Sequence, residues 1–283
     1  MSAEFHQLLD ATIEHLESLQ AQGARFVPLE AETFRALNAG TRKNTEHRTS
    51  NIEHRSVETV SRVAPVPALN SQPPTLNSAK AQAIAELRER AMQCVKCAHL
   101  ASTRKNVVFG VGSIDAEVMF VGEAPGADED AEGEPFVGAA GQLLTKMINA
   151  TGLSREKVYI ANILKCRPHM PAGSSGNRKP TPEEMQTCIP YLHAQIDLIQ
   201  PKVLVALGGT AVEGLLGKSG ITKLRGQWHS YRGIPLMPTY HPSYLLRNQS
   251  NAEKRKVWED LMAVMEKIGL PISEKQRGYF LRA

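Results

Sequence analysis

Gly122-Glu123-Ala124-Pro125-Gly126, carried on through Ala127-Asp128-Glu129-Asp130 to Glu134-Pro135-Phe136-Val137-Gly138-Ala139-Ala140-Gly141-Gln142-Leu143-Leu144, is the stretch on which the fold turns. Just before it, Glu117-Val118-Met119-Phe120-Val121 is an apolar run rich in β-formers; after it, Leu143, Leu144, Met147 and Ile148 recur at helical spacing. The segment therefore reads strand, long polar loop, helix. In an open α/β sheet such a loop lies at the carboxyl end of its strand, where ligands bind. Glycines and prolines fix its backbone beside an acidic cluster and one aromatic, a composition suited to a shaped site.

The same pattern continues outward. Val118 to Val121, Val158 to Ile163, Val203 to Leu207 and Ile234 to Thr239 read as buried strands. Between and after them, helical periodicity marks Gly141 to Ala150, Pro182 to Ile199, Thr210 to Leu216 and Asn251 to Ile268, with a further helix from Ala79 through Met92 leading in. Strands alternating with helices predict an α/β fold whose four-stranded, mostly parallel sheet is covered on both faces. Thr181, Pro182 and Glu184 form a helix start with a capping box, and Pro190 is expected to kink the helix that follows.

Polar residues follow or end each strand: Glu123 after the first, Asn162 on the second, Gly208-Gly209-Thr210 after the third and His241-Pro242-Ser243 after the fourth. In a parallel sheet all four positions lie along one edge, so an acid, an amide, an exposed-backbone loop and an imidazole can converge on one crevice. Singly, each has an ordinary structural explanation. Jointly, they describe an active site.

The four cysteines form a second constellation. Cys94 and Cys97 are a C-x-x-C pair, Cys166 follows the second strand, and Cys188 lies in the third helix. Four thiolates with none left over suit either tetrahedral zinc or a 4Fe-4S cluster, and spacing leaves the two open. Either metal would staple the start of the domain to the loop beside Asn162.

The 283-residue chain is long enough for one large or two small domains, and its 42% hydrophobic and 5% aromatic content is that of an ordinary soluble protein. No apolar run is long enough to span a bilayer, and Met1-Ser2-Ala3-Glu4-Phe5 lacks a signal-peptide layout, so a cytoplasmic location is expected. A net charge of +4 permits a nucleic-acid partner without arguing for one. Phe5, Leu8, Leu9, Ile13, Leu16 and Leu19 predict an amphipathic helix within an N-terminal extension over 1–37, a possible protein-docking element. Residues 38–78 read as a flexible linker, 79–270 as the globular domain and 271–283 as a tail.

Taken together, Gly122 to Gly126 with Pro135-Phe136-Val137-Gly138 and Gly141 to Leu144, Asn162-Ile163-Leu164-Lys165-Cys166-Arg167-Pro168, and His241-Pro242-Ser243 resemble the family 4, iron-sulfur uracil-DNA glycosylases. The resemblance runs from about residue 85 to 268 and includes all four cysteines in order. It implies a three-layer αβα sandwich and a 4Fe-4S cluster on Cys94, Cys97, Cys166 and Cys188; separately, a monomer is expected. It also implies hydrolysis of the bond joining uracil to deoxyribose in single- or double-stranded DNA, with the base extruded from the stack.

In that reading Phe136 stacks on the flipped base, Asn162 reads its edge, and His241 stabilises the departing anion. Glu123 positions water or offsets the sugar cation, with Glu129 and Asp130 as secondary acids and Gly122 and Ala124 lining the base. Gly208, Thr210, Ser243 and Arg247 are expected phosphate contacts, and Tyr244 or Leu245 a wedge. The loop from His169 to Arg178 is longer than the family pattern, and the first 78 residues fall largely outside it. No Arg-Arg-Ile-His string of the covalently attaching branch occurs, so ordinary turnover is expected. A glycosylase for another base, an idle nucleic-acid binder and a zinc-binding structural protein are the rival readings.

Overall fold

The computed structural model describes residues 76–168, 170 and 176–281. The expected N-terminal helix, the linker up to residue 75, and residues 169, 171–175 and 282–283 lie outside the described residues, and the last three residues assigned to the linker belong to the first helix.

Helices α1 (Leu76–Met92) and α2 (Ala98–Ala101) lead into strand β1 (Val111–Gly112) and then β2 (Val118–Gly122). The long loop carries a short helix, α3 (Ala127–Glu132), before α4 (Ala139–Ala150) and β3 (Tyr159–Asn162). Then come α5 (Pro182–Ile199), β4 (Val203–Leu207), α6 (Gly209–Leu216), α7 (Ile221–Leu224), β5 (His229–Tyr231) and β6 (Ile234–Thr239). Helices α8 (Pro242–Arg247), α9 (Asn251–Lys267) and α10 (Glu274–Arg277) complete the chain.

The sheet has six strands in the order β1-β3-β2-β4-β6-β5, not the four expected. The four expected strands form its parallel centre, and β1 and β5 pair antiparallel at its edges. Both additions are short and partly exposed, so neither shows the apolar run that marks a central strand.

Strand alternation sorts the core into two layers. Met119, Val121, Tyr159, Ala161, Leu204 and Ala206 pack with Leu87 of α1, Leu192 and Ile196 of α5, and Val212 of α6. Val118, Phe120, Ile160, Val203, Val205 and Leu207 face the other way, onto Leu144 and Ile148 of α4 and Val257, Trp258 and Leu261 of α9. The result is an αβα sandwich.

Helix α5 begins at the expected capping box, with Thr181 accepting from Glu184 N and the Glu184 carboxylate from Thr181 N. It continues through Pro190 as one helix. The C-terminal tail packs back on α9 and α4: Trp258 Nε1 donates to Gln276 O at 2.6 Å and Gln276 Nε2 to Ala150 O at 2.8 Å. Among the described residues, no helix is long and apolar enough to cross a membrane.

Candidate active site

Parallel pairing sets Gly122 beside Asn162 and ends β4 beside the end of β6 at Leu207 and Thr239, so the four strand exits share one edge. A cleft of about 480 Å³ opens there. Glu123, Ala124, Glu129, Phe136, Asn162, Gly208, His241, Ser243 and Arg247 line it, as the sequence placed them. Asn177 and Arg178, which carried no motif signal, complete its rim from the loop before α5.

Phe136 is buried and held in the left-handed region, at φ 56°, an uncommon backbone for an aromatic residue. Three features hold it there. The Glu129 carboxylate accepts from the backbone N–H of Gly126 at 2.9 Å and from those of Val137 and Gly138 at 3.1 Å. The Arg155 guanidinium donates to the Pro135 carbonyl. Gly141 leaves room for the Phe136 carbonyl, which would stand 1.8 Å from any Cβ there. Gly122 has a matching role under the ring, where a Cβ would meet Asn162 Oδ1 at 2.3 Å and the Phe136 ring at 2.6 Å. The Phe136 ring also lies 5.6 Å from the His241 ring, centroid to centroid.

Asn162 is 2% exposed, and its Oδ1 is buried with no hydrogen-bond partner. Buried acceptors are nearly always paired, so an orphan facing a cleft marks the place of a ligand's donor. His241, two residues beyond the end of β6, is the N-cap of α8, and its Nδ1 accepts from Ser243 N at 3.2 Å, with Ser243 Oγ 2.8 Å away. Burial, helped by Arg247, pulls His241 down to about 4, so at neutral pH the ring is uncharged. With Nδ1 accepting, the proton of the neutral ring resides on Nε2, as a donor. Burial pushes the Glu123 carboxyl up, opposed by a hydrogen bond with Thr210 and by Lys179.

Several expected contacts have other partners. Asp130 does not line the cleft; its buried carboxylate accepts from Lys105 N at 3.0 Å and Asn106 N at 3.4 Å, tying α3 to the segment before β1. Thr210 turns its hydroxyl to Glu123, and Ser243 gives its amide to His241. Tyr244 hydrogen-bonds Glu253 at 3.2 Å and stacks 4.6 Å from Tyr240. Leu245 is 5% exposed in the core, so it is no wedge here; the exposed apolar side chain of α8 is Leu246. A six-residue helix has too few turns for its facing to be read from spacing, so the sequence carries no signal that Leu245 is the buried side.

Cys94, Cys97, Cys166 and Cys188 line a second, small cavity beside the chain that leaves β3, and none forms a disulfide. Two of the sulfurs accept hydrogen bonds: Arg104 Nη1 donates to Cys166 Sγ and Lys165 N to Cys188 Sγ, both at 3.2 Å. Among the described residues no three His, Cys, Asp or Glu side chains form a single-ion set.

A profile of the Uracil DNA glycosylase superfamily matches residues 109–262, a span that holds every residue lining the cleft. The chain belongs to that superfamily. Its curated relatives include a type-4 uracil-DNA glycosylase of Thermotoga maritima, 49% identical over 177 residues, covering 61% of this chain and 88% of the relative. A type-4 enzyme of Sulfurisphaera tokodaii is 41% identical over 206 residues, covering 69% and 89%. One of Archaeoglobus fulgidus is 42% identical over 182 residues, covering 59% and 88%. These type-4 relatives agree with the motifs around Gly122, Asn162 and His241.

Proposed function

We propose that this superfamily member is a DNA repair glycosylase that hydrolyses the N-glycosidic bond of deoxyuridine in DNA, releasing uracil and leaving an abasic site. The observation that carries the reading is the unpartnered Oδ1 of Asn162, facing a cleft between the Phe136 ring and the His241 imidazole.

A base within a duplex is out of reach of such a cleft, so the nucleotide enters extruded or from a single strand. Phe136 stacks on its ring. Asn162 Oδ1 accepts from uracil N3–H, and the amide NH2 donates to O4. Cytosine presents an acceptor and a donor at those two places, so both contacts fail and the buried amide stays unpaired.

Water adds to the sugar C1′ as the bond from C1′ to uracil N1 breaks, and the bonding pair leaves with the base. His241 Nε2–H donates to uracil O2 and stabilises the anion where water is largely excluded. A neutral ring suits this task, because its donor remains available without the cost of a buried cation. Glu123 positions the attacking water and offsets positive charge on the sugar, and Thr210 orients Glu123. Arg247 and the Gly208 backbone meet DNA phosphates. Glu129 acts through the backbone it holds, keeping Phe136 in place.

Cys94, Cys97, Cys166 and Cys188 would hold a 4Fe-4S cluster. The donor set fits: four reduced thiols face one cavity, and two already accept N–H hydrogen bonds of the kind that support cluster sulfurs. A zinc ion at about 2.3 Å from each sulfur asks for a tighter set. When bound, the cluster supplies a cross-link and no redox step, because hydrolysis needs no electrons.

The test is base release from a labelled single strand carrying one deoxyuridine, followed by alkali and a gel, beside a thymidine control. Cleavage at uracil alone supports the reading. An iron-loaded preparation that cleaves neither strand overturns it.

A further inference from the structure

Lys165 lies within the core, 2% exposed, three residues after Asn162. Its Nζ donates to the main-chain carbonyl of Asn162 at 2.9 Å and to Gln195 Oε1 at 2.6 Å, and stands 5.9 Å from the Phe109 ring centroid. Gln195, wholly buried on α5, turns its own amide to Phe109 O at 2.9 Å and Tyr159 Oη at 3.0 Å. Neither hydrogen-bond acceptor of the ammonium carries a charge. Lys80, Lys179, Lys202 and Lys256, by contrast, pair with carboxylates at more exposed positions. Burying an ammonium against neutral acceptors costs free energy that an apolar side chain of similar volume would not.

The carbonyl it holds explains the arrangement. Ile163 N donates to Gly122 O in β2, so by strand alternation the Asn162 carbonyl points the opposite way, toward β1. Ladder pairing of β3 with β1 stops at Ile160 and Val111, so among the described residues no ladder bond from β1 reaches it, although the chain entering β1 still runs alongside and bonds Lys165 O through Val108 N. We infer that Lys165 is a positioning residue for base reading: its ammonium replaces the missing ladder bond, fixes the Asn162 main chain, and so aims the Asn162 amide at the base. This rests on the reading of Asn162 given above. Gln195 anchors the ammonium to α5, and the Lys165 main chain is pinned independently by Cys188 Sγ and by Val108 N, which donates to Lys165 O at 2.7 Å.

The experiment compares the full-length parent with Lys165→Met and with Lys165→Met/Gln195→Met. The double variant removes both side chains of the main polar contact, and Gln195→Met alone serves as the control for the bonds that Gln195 makes to Phe109 O and Tyr159 Oη. Readouts are kcat and KM on uracil-containing single strands, inhibition by free uracil, thermal midpoint and iron content. Asn162→Ala serves as the reference.

The expected result is a kcat lower by about 10²-fold and free-uracil inhibition weaker by about tenfold, with KM for the DNA within about twofold and iron retained. A structural role alone predicts that whatever restores the thermal midpoint restores kcat and uracil binding, and that outcome overturns the inference. So does loss of iron in step with activity, which assigns Lys165 to the cysteine centre. If Asn162→Ala itself leaves uracil binding and turnover unaltered, the reading of Asn162 falls and this inference with it. A strong Asn162→Ala effect beside a silent Lys165→Met overturns the inference alone.

Discussion

Two cavities adjoin the chain that leaves β3, and they treat their polar atoms in opposite ways. In the cleft, Asn162 Oδ1 is buried without a partner, and the Phe136 ring is held in a strained backbone to face it. In the cysteine cavity, four residues away along the chain, Cys166 and Cys188 already accept hydrogen bonds from Arg104 and the Lys165 main chain. An acceptor left open serves a partner that comes and goes. Acceptors that are supported from outside suit a resident group. In the proposed reading the difference separates a site of turnover from a site of cohesion, and it can be broken or sharpened by substitution.

The largest effect is expected in the cleft. Asn162→Ala and His241→Ala should each lower kcat for uracil release by about 10²–10³-fold, with little change in DNA affinity measured by anisotropy. Equal losses in both quantities would remove His241 from the leaving-group role. Gly141→Ala should come next, by about 10²-fold, because the new Cβ forces the Phe136 carbonyl aside; a crystal structure of the variant should show the ring displaced.

Cys188→Ala belongs to the other cavity, so iron and thermal stability should fall together, by about 5–10 °C in midpoint, while excision per folded molecule falls far less than in the cleft variants. Iron content unchanged by that substitution would remove Cys188 from the ligand set. The pH profile offers a subtler separation. In the proposed mechanism Glu123 works as a carboxylate, and burial raises its pKa, so excision should decline with falling pH earlier than an exposed carboxylate would cause. Glu123→Gln should remove that limb. His241 is neutral in the fold down to about 4 but titrates near 6.5 when exposed, so the unfolded state alone takes up its proton in between. Stability is therefore expected to fall as pH drops from about 6.5 to about 4, and His241→Gln should flatten that slope in denaturant titrations.

The smallest effect on substrate choice is expected from Leu245→Ala. It should cost about 2–5 kcal/mol of stability by urea unfolding and leave the ratio of single- to double-strand excision unchanged, since this side chain fills the core.

Much of this layout was legible beforehand, and the reasons differ by element. Strand β4 and helix α5 match their expected limits because long apolar or amphipathic runs, with a capping box at Thr181 and Glu184, carry their own signal. Edge strands β1 and β5 carry none, being short and partly exposed. Glu123, Asn162 and His241 were identifiable as strand-end polar residues once the sheet was taken as parallel. Asp130 and Leu245 were misplaced because composition cannot tell a carboxylate that meets a cleft from one that caps two backbone amides, nor one leucine's face from its neighbour's.

By itself, the order of residues determined the alternation of strands and helices, the shared edge of the site and the pairing of two constellations around β3, because periodicity and strand polarity are local properties. Tertiary structure decided which polar atoms are satisfied. It gave Glu129 three backbone amides, Ser243 to His241 and a buried ammonium to the Asn162 carbonyl, and it left Asn162 Oδ1 open. Hydrogen-bond satisfaction depends on groups far apart in the chain meeting at about 3 Å, and no local pattern encodes that distance.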